Sequence, residues 1–365
     1  MRIGVDARSI DRSYSSISKL LRGFLKYWSK STEDEFVIYT PNLRNEHENN
    51  DSLLDKFDTV QISDRTPLGF YRKLAKRSVA DHLDTIFFTL DLALFQTIPY
   101  TLLLHDLTFK KYGHGSIRNA LFSFLVDRSV KNAKSIIVPS NNTREDVIAQ
   151  YHKEAVYTLH LDADPAFTKL PYETVKDTLP SLIDEVGEGF LLHVGRIHSD
   201  YKNMNRLLKA FVQGKKNRTI REKLLIVSSD KPRREDARII ENNKKDILTL
   251  HKLTDSNLAI LYNACNYFVY PSLYEGFGMP ILEAMRCGAP VAVSRSSSLP
   301  EVAGDAGLYF NPNDTTDIFK VMSELSNNES LRKSLSKKSL ERSKIFSWEI
   351  FSNESLKVIK SGAMT

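Results

Sequence analysis

The stretch Pro271-Ser272-Leu273-Tyr274-Glu275-Gly276-Phe277-Gly278-Met279-Pro280-Ile281-Leu282-Glu283-Ala284-Met285 reads as a strand end, a glycine loop and a helix start. The preceding Tyr267–Tyr270 is the strand. Pro280 sits where the first helical turn has an unpaired N–H to spare. Gly276 and Gly278 allow the backbone to come close to a ligand. Free N–H groups at such a helix start, with its dipole, favour an anion. Two carboxylates flank the loop eight positions apart, Glu275 before the turn and Glu283 in what reads as the first helical turn. The turn can bring both to one cleft, where carboxylates accepting hydroxyl hydrogen bonds suit a sugar or a ribose.

On both sides of this stretch, short apolar runs alternate with helix-period segments. Phe190–Val194, Leu224–Val227, Ile247–Leu250, Tyr267–Tyr270 and Val291–Val293 read as strands, with helices over Asn205–Gln213 and Asp255–Ala264. An earlier set, Ile3–Val5, Phe36–Tyr39, Ile86–Leu90, Thr101–Leu104 and Ile136–Val138, alternates with helices such as Ile17–Trp28 and Ile117–Val130. The alternation predicts two doubly wound, Rossmann-like parallel sheets in an α/β chain. The expected division is an N-terminal domain over 1–170, a C-terminal domain over 171–345 and a final helix over 346–365. A linker is expected within 163–188, which carries Pro165, Pro171 and Pro180. Ligands of such sheets bind beyond the strand C-termini. The expected site is the cleft across which the two domains face each other.

Composition narrows the function classes. A chain of 365 residues, 41% hydrophobic and 26% charged, is that of an ordinary globular protein of about two domains. The start, Met1-Arg2-Ile3-Gly4-Val5-Asp6, enters a strand at once and lacks the pattern of a signal peptide. The most apolar stretch, 85–104, is interrupted by Asp91, Gln96 and Pro99, so it reads as buried strands rather than a membrane span. The expected location is the cytoplasm, at the inner face of the membrane if the acceptor is lipid-linked. Two cysteines, Cys265 and Cys287, lack CxxC spacing and suit a reducing compartment without disulfide or zinc. The net charge of +6 is scattered, which disfavours a nucleic-acid partner. The candidate for a peripheral membrane contact is the basic, apolar-interleaved Tyr71-Arg72-Lys73-Leu74-Ala75-Lys76-Arg77. Asp162-Ala163-Asp164 has the outline of a DxD metal motif but falls at a strand-end turn before the linker.

Two further segments carry chemistry at strand ends. His193-Val194-Gly195-Arg196 continues to Lys202, giving two cations that can offset a phosphate pair and the charge on a leaving group. His105-Asp106-Leu107 follows an N-terminal strand, where Asp106 is expected either to orient the ring or to cap the next segment. Thr143, with Asp146 three later, is the expected N-cap of a helix after Val138-Pro139-Ser140.

The 271–285 segment resembles the Glu-x7-Glu motif of retaining GT-B glycosyltransferases, most closely glycosyltransferase family 4. The resemblance implies that Glu275 meets the donor sugar near the reacting centre and that Glu283 binds the nucleotide ribose. It implies that amides of Gly276, Phe277, Gly278 and Met279 hold sugar hydroxyls and phosphate. Arg196 and Lys202 match the family's diphosphate-gripping cations, and His105 matches a histidine beside the transferred sugar. Trp348 and the last helix resemble the family's terminal crossing back to the N-terminal domain. The segment Val293-Ser294 through Leu299-Pro300-Glu301-Val302 resembles the structural stretch after the Glu motif. The implied activity is hexosyl transfer from a nucleoside-diphosphate sugar to a glycan or lipid-linked acceptor in cell-surface polysaccharide synthesis, by front-face departure and attack. No cofactor or bound metal is implied. The Arg2–Arg8 start resembles mannosyl- and rhamnosyl-transferring members, which inclines the donor toward GDP-mannose, with base choice near 250–253.

The sequence departs from the family in two places. The segment Ser9–Lys19 contains no glycine where the family has one near the donor phosphate or acceptor. The strand ending in Ser228-Ser229-Asp230 also lacks a common glycine. Two other functions therefore stand beside transfer: a non-catalytic partner subunit with this fold, and another GT-B enzyme such as a nucleotide-sugar epimerase.

Overall fold

The computed structural model describes residues 1–10, 16–30, 33–41, 53–64, 66–113, 116–178, 189–251 and 253–364. Parts of the glycine-free loop, of the linker and of the 250–253 stretch where base choice is expected lie outside the described residues. The chain divides into two compact units, Met1–Asp162 with Phe346–Thr365, and Ala163–Ile345.

The first unit runs β1 (Arg2–Asp6), α1 (Ser16–Trp28), β2 (Glu35–Thr40), β3 (Asp58–Gln61), α2 (Pro67–Ala80), β4 (Thr85–Phe88), β5 (Tyr100–Leu103), α3 (Thr108–Tyr112), α4 (Ile117–Asn132), β6 (Ser135–Val138), α5 (Asn141–Tyr151) and β7 (Val156–Thr158). All neighbouring strands are parallel, in the order β3-β2-β1-β4-β5-β6-β7. The order reverses between β1 and β4, and a crevice opens at such a switch point beyond the strand ends. The strands are apolar on both faces because helices cover both; Ile3, Val5, Ile86, Phe87 and Phe88 are fully buried.

The second unit runs α6 (Tyr172–Thr178), β8 (Phe190–Val194), α7 (Met204–Lys216), β9 (Lys223–Val227), α8 (Arg234–Asn242), β10 (Ile247–Leu250), α9 (Asp255–Ala264), β11 (Tyr267–Tyr270), α10 (Met279–Arg286), β12 (Val291–Ser294), α11 (Leu299–Ala303), β13 (Gly307–Phe310), α12 (Thr315–Asn327) and α13 (Glu329–Ser343). Its sheet is also all parallel, in the order β10-β9-β8-β11-β12-β13, and reverses between β8 and β11. The last helix, α14 (Trp348–Met364), packs on α1 in the first unit. There Trp28 Nε1 donates to Ser352 O at 3.0 Å, and Phe24, Trp28, Phe87 and Phe351 form one aromatic cluster.

Three sequence expectations change. Tyr71–Arg77 lies on α2, but Tyr71, Leu74 and Ala75 are buried in the core and only Arg72, Lys73, Lys76 and Arg77 face out. Its apolar residues are spent on packing, so this helix offers a basic face rather than an amphipathic one. The helix after β6 starts earlier than expected: Ser140 is the N-cap, its side chain accepting from Thr143 N–H at 3.1 Å, and Thr143 is buried inside the first turn. Strands β3, β7 and β13, which the sequence reading did not place, carry few fully buried side chains, as edge strands do, and β3 and β7 lack an apolar run. Asp164 Oδ1 accepts from Ala166 N–H, making a turn beside the unit boundary. Cys265 and Cys287 are free and buried. Among the described residues, no helix is long and apolar enough to cross a membrane.

Candidate functional site

In the second unit the switch point between β8 and β11 gathers the sequence candidates. The chain leaves β8 into Gly195-Arg196 and leaves β11 into Pro271–Glu275. Leu273 N–H donates to Tyr201 O at 2.7 Å, and buried Asn203 donates from Nδ2 to Pro271 O and Pro312 O at 3.0 and 2.7 Å. These bonds tie the turn carrying Lys202 to the loop carrying Glu275.

Lys202 Nζ donates to Glu275 Oε1 at 2.6 Å and to Tyr270 OH at 3.1 Å, and Tyr270 OH donates to the same carboxylate oxygen at 2.9 Å. Both charged side chains are nearly enclosed, with 10% and 13% exposure. Burial works against the Lys202 charge, but the Glu275 carboxylate and the Tyr270 hydroxyl outweigh it, and the ammonium is held well above its ordinary value. Burial first, and Glu275 second, push the Tyr270 phenol up. Lys202 is therefore a fixed cation and Tyr270 a neutral donor. An ammonium has three N–H donors; two are engaged here.

The loop after Glu275 is locked from below by the turn leading into α11. Glu275 N–H donates to Ser297 Oγ at 2.9 Å, while Ser298 Oγ donates to Glu275 O and to Phe277 O, both at 2.9 Å. Ser297 itself has φ +47°, an uncommon conformation for a residue with a side chain. Gly278 caps α10 with φ +104°, and a Cβ there would meet Leu299 Cδ2 at 2.8 Å. Conformation and space both demand glycine at this position. Met279 and Pro280 form the first turn.

Glu283 falls in the second turn of α10, one turn later than the sequence suggested, because the helix begins at Met279. It is buried, and Tyr262 OH on α9 donates to its Oε2 at 3.1 Å. Burial and then Glu283 raise the Tyr262 phenol. Arg196 is two-thirds exposed; its Nε donates to Asp230 Oδ2 at 2.9 Å, and that bond raises its pKa. Both terminal nitrogens stay clear of a described partner. Asp230 thus aims a guanidinium fork while leaving its tip open.

His193, fully buried on β8, stacks on Tyr270. Its Nδ1 lies 3.0 Å from Val269 O and must carry the proton, leaving Nε2 as an acceptor with no described partner. Burial lowers its pKa to about 4, so the ring is neutral.

In the first unit, His105 follows β5. Its backbone N–H donates to Asp91 Oδ1 at 3.0 Å, and its Nε2 lies 2.9 Å from Thr89 O. The carbonyl can only accept, so Nε2 carries a proton. Asp106 Oδ1 accepts from Thr108 N–H at 2.7 Å in the turn that leads into α3, whose N-cap is Leu107, and the Thr89 carbonyl orients the ring. Desolvation raises the Asp91 carboxyl, partly offset by His105. At the end of β1, Arg8 donates from Nε and Nη2 to the fully buried Asp6 at 2.8 and 2.7 Å and lies 4.0 Å over the Tyr71 ring. Sequence reasoning missed Tyr270, Asp230, Ser297, Ser298 and Asp91 as parts of these clusters. Only Asp91 left a signal, as a lone carboxylate in the most apolar run.

Residues 180–342 match the family described as Glycosyl transferases group 1. The chain is 33% identical over 240 residues to O-antigen chain mannosyltransferase B of Escherichia coli; the alignment covers 64% of this chain and 62% of that protein. It is 50% identical over 96 residues to the serotype-specific mannosyltransferase WbdA of Escherichia coli, covering 26% of this chain and 12% of that protein. The sucrose-phosphate synthase structure from Thermosynechococcus elongatus superposes with a TM-score of 0.75 at 19% identity over 98% of both chains, a likeness of fold. The protein therefore has the GT-B fold of two parallel-sheet, Rossmann-like domains, and its residues 180–342 match the glycosyl transferases group 1 family model.

Proposed function

We propose that the protein is a retaining glycosyltransferase that moves a hexosyl group from a nucleoside-diphosphate sugar to a hydroxyl of a glycan or lipid-linked acceptor in cell-surface polysaccharide synthesis. The observation that carries this reading is the Lys202–Glu275–Tyr270 cluster at the switch point of the second unit, with the open guanidinium of Arg196 on the next strand end. Lys202 and Arg196 are assigned to the donor diphosphate, where their charge would stabilise the leaving group. Glu275 and the amides of Gly276–Met279 position the sugar, Glu283 takes the ribose hydroxyls, and His105 serves the sugar side. The bond from the anomeric carbon to the diphosphate breaks, a bond to the acceptor oxygen forms on the same face, and the acceptor proton passes to the departing phosphate oxygen. No resident metal is part of this assignment. The mannosyltransferase named among the relatives supports mannose as the transferred sugar, and GDP-mannose is the donor proposed to carry it.

Thermal melting with GDP, UDP, GDP-mannose and UDP-glucose, on the parent chain and on Glu283→Ala and Arg196→Ala, tests the reading. A ligand bound only by the folded state at a hundredfold excess over its Kd stabilises by about 2.7 kcal/mol. The expected result is a shift with the guanosine compounds that both variants lose. No shift with any nucleotide, in folded protein, would overturn the donor site and leave a non-catalytic partner subunit. Product analysis with donor alone should return the sugar unepimerised.

A further inference from the structure

Helix α4 carries the largest run of exposed apolar side chains on one helix face in the described residues. Ile117, Leu121 and Phe124 are 91%, 58% and 63% exposed. Their spacing of four and three places them on one face, and Arg128 and Lys131 continue that face. From Ile117 to Lys131 the stripe is about 21 Å long at 1.5 Å per residue. The opposite face, with Phe122, Leu125, Val126 and Val130, packs into the core, so the exposed stripe contributes nothing to this fold. Single exposed apolar residues are ordinary, but a continuous run rimmed by polar residues marks an interaction surface.

The charge on this helix identifies the partner. Arg118, Arg128 and Lys131 are exposed and pair with no described acid. The one acid of α4, Asp127, is occupied by Lys110 Nζ and by Tyr151 OH, each at 2.7 Å. Apolar anchors followed by unpaired basic residues fit an anionic bilayer, whose surface attracts cations while its acyl boundary takes Leu and Phe. A protein partner would require matching acids as well as an apolar groove. Because β5 and β6 are parallel, α4 must run back along the sheet, and its Ile117 end lies at the strand C-terminal edge that carries His105.

We propose that the exposed face of α4 docks the protein on an anionic lipid surface, with Ile117, Leu121 and Phe124 entering the acyl boundary and Arg118, Arg128 and Lys131 contacting headgroups. The inference stands on the first unit alone and does not depend on the donor assignment. The test is flotation of the full chain with vesicles of phosphatidylcholine alone, and of equal parts phosphatidylcholine and phosphatidylglycerol. Binding to the mixed vesicles alone is expected, and it should weaken with salt. Leu121→Ser with Phe124→Ser should lower partitioning more than about tenfold, with an unchanged melting temperature because neither side chain belongs to the core. Arg128→Gln and Lys131→Gln should each weaken binding about fivefold. Arg72→Gln with Lys73→Gln on α2 should leave it unchanged. Absence of vesicle binding by folded protein would overturn the proposal. So would binding indifferent to the Leu121 and Phe124 changes, or a self-associated chain that those changes make monomeric, which would mark the face as a protein contact.

Discussion

His193 shows how one atom can set a pH response. Its Nδ1 is committed to the Val269 carbonyl, its Nε2 has no described donor, and the ring is neutral because burial has lowered its pKa to about 4 from an ordinary 6.5. The unfolded chain takes up a proton near 6.5 and the folded one only near 4, so the folded state loses stability as pH falls through that window. The stabilisation is complete above about pH 6.5. The shift amounts to roughly 3 kcal/mol of stability lost on acidification to pH 4. His193→Gln should remove this component. Urea unfolding followed by far-UV circular dichroism at pH 7 and pH 4.5 should show a smaller acid loss in the variant than in the parent. Equal losses would mean that the imidazole is reached by solvent in the folded state. Lys202, two turns of chain away, behaves oppositely: its raised pKa keeps its contribution intact through neutral pH and withdraws it only under strongly alkaline conditions.

The loop between β11 and α10 depends on Gly278 at the level of the element. Gly278→Ala would put a Cβ 2.8 Å from Leu299 Cδ2 while forcing an alanine to φ +104°. The helix start or α11 must move, at a cost of about 1–3 kcal/mol. Because Ser298 grips the loop carbonyls of Glu275 and Phe277, that movement reaches Glu275. Nucleotide-induced stabilisation should fall more than the melting temperature does; an alanine variant with parent-like nucleotide shifts would show that the loop does not contact the donor. This loop was legible in the sequence because glycine, proline and the two glutamates are fixed by local backbone geometry. The all-parallel sheets were legible too, since strands covered on both faces must be continuously apolar. The partners of Glu275 were not. Lys202, Tyr270 and Ser297 come from three separate strand ends, and only the sheet order brings them together. The face of α2 was misjudged for a related reason: interleaved basic and apolar residues fit a core-facing helix as well as a membrane-facing one, and only the packing of Tyr71 and Leu74 decides between them.

The first unit, taken as a whole, is built from two distant pieces of chain, because α14 belongs to it. Trp348, Phe351, Val358 and Ile359 are all buried. Side chains of this size stabilise by about 1.5–3 kcal/mol each when buried, which together approaches the total stability of about 5–15 kcal/mol typical of a domain. The N-terminal unit therefore completes its core only with residues 346–364, and contacts of such long sequence separation slow folding in general. Both tryptophans of the chain, Trp28 and Trp348, lie in this unit, so their fluorescence reports on it alone. Deleting 346–365 should shift Trp28 emission to that of a solvated indole and abolish its cooperative melt. A gentler probe of the same contact is Gly23→Ala, whose Cβ would lie 2.5 Å from Trp348 Cε2. Alanine favours a helix by about 0.8–1 kcal/mol over glycine, yet overpacking against the indole costs about 1–3 kcal/mol, so the variant should melt lower than the parent. A truncated chain that kept a buried, cooperatively melting Trp28 would show that the first unit closes its core without α14, and a Gly23→Ala chain that melted higher would show that the indole yields to the added methyl.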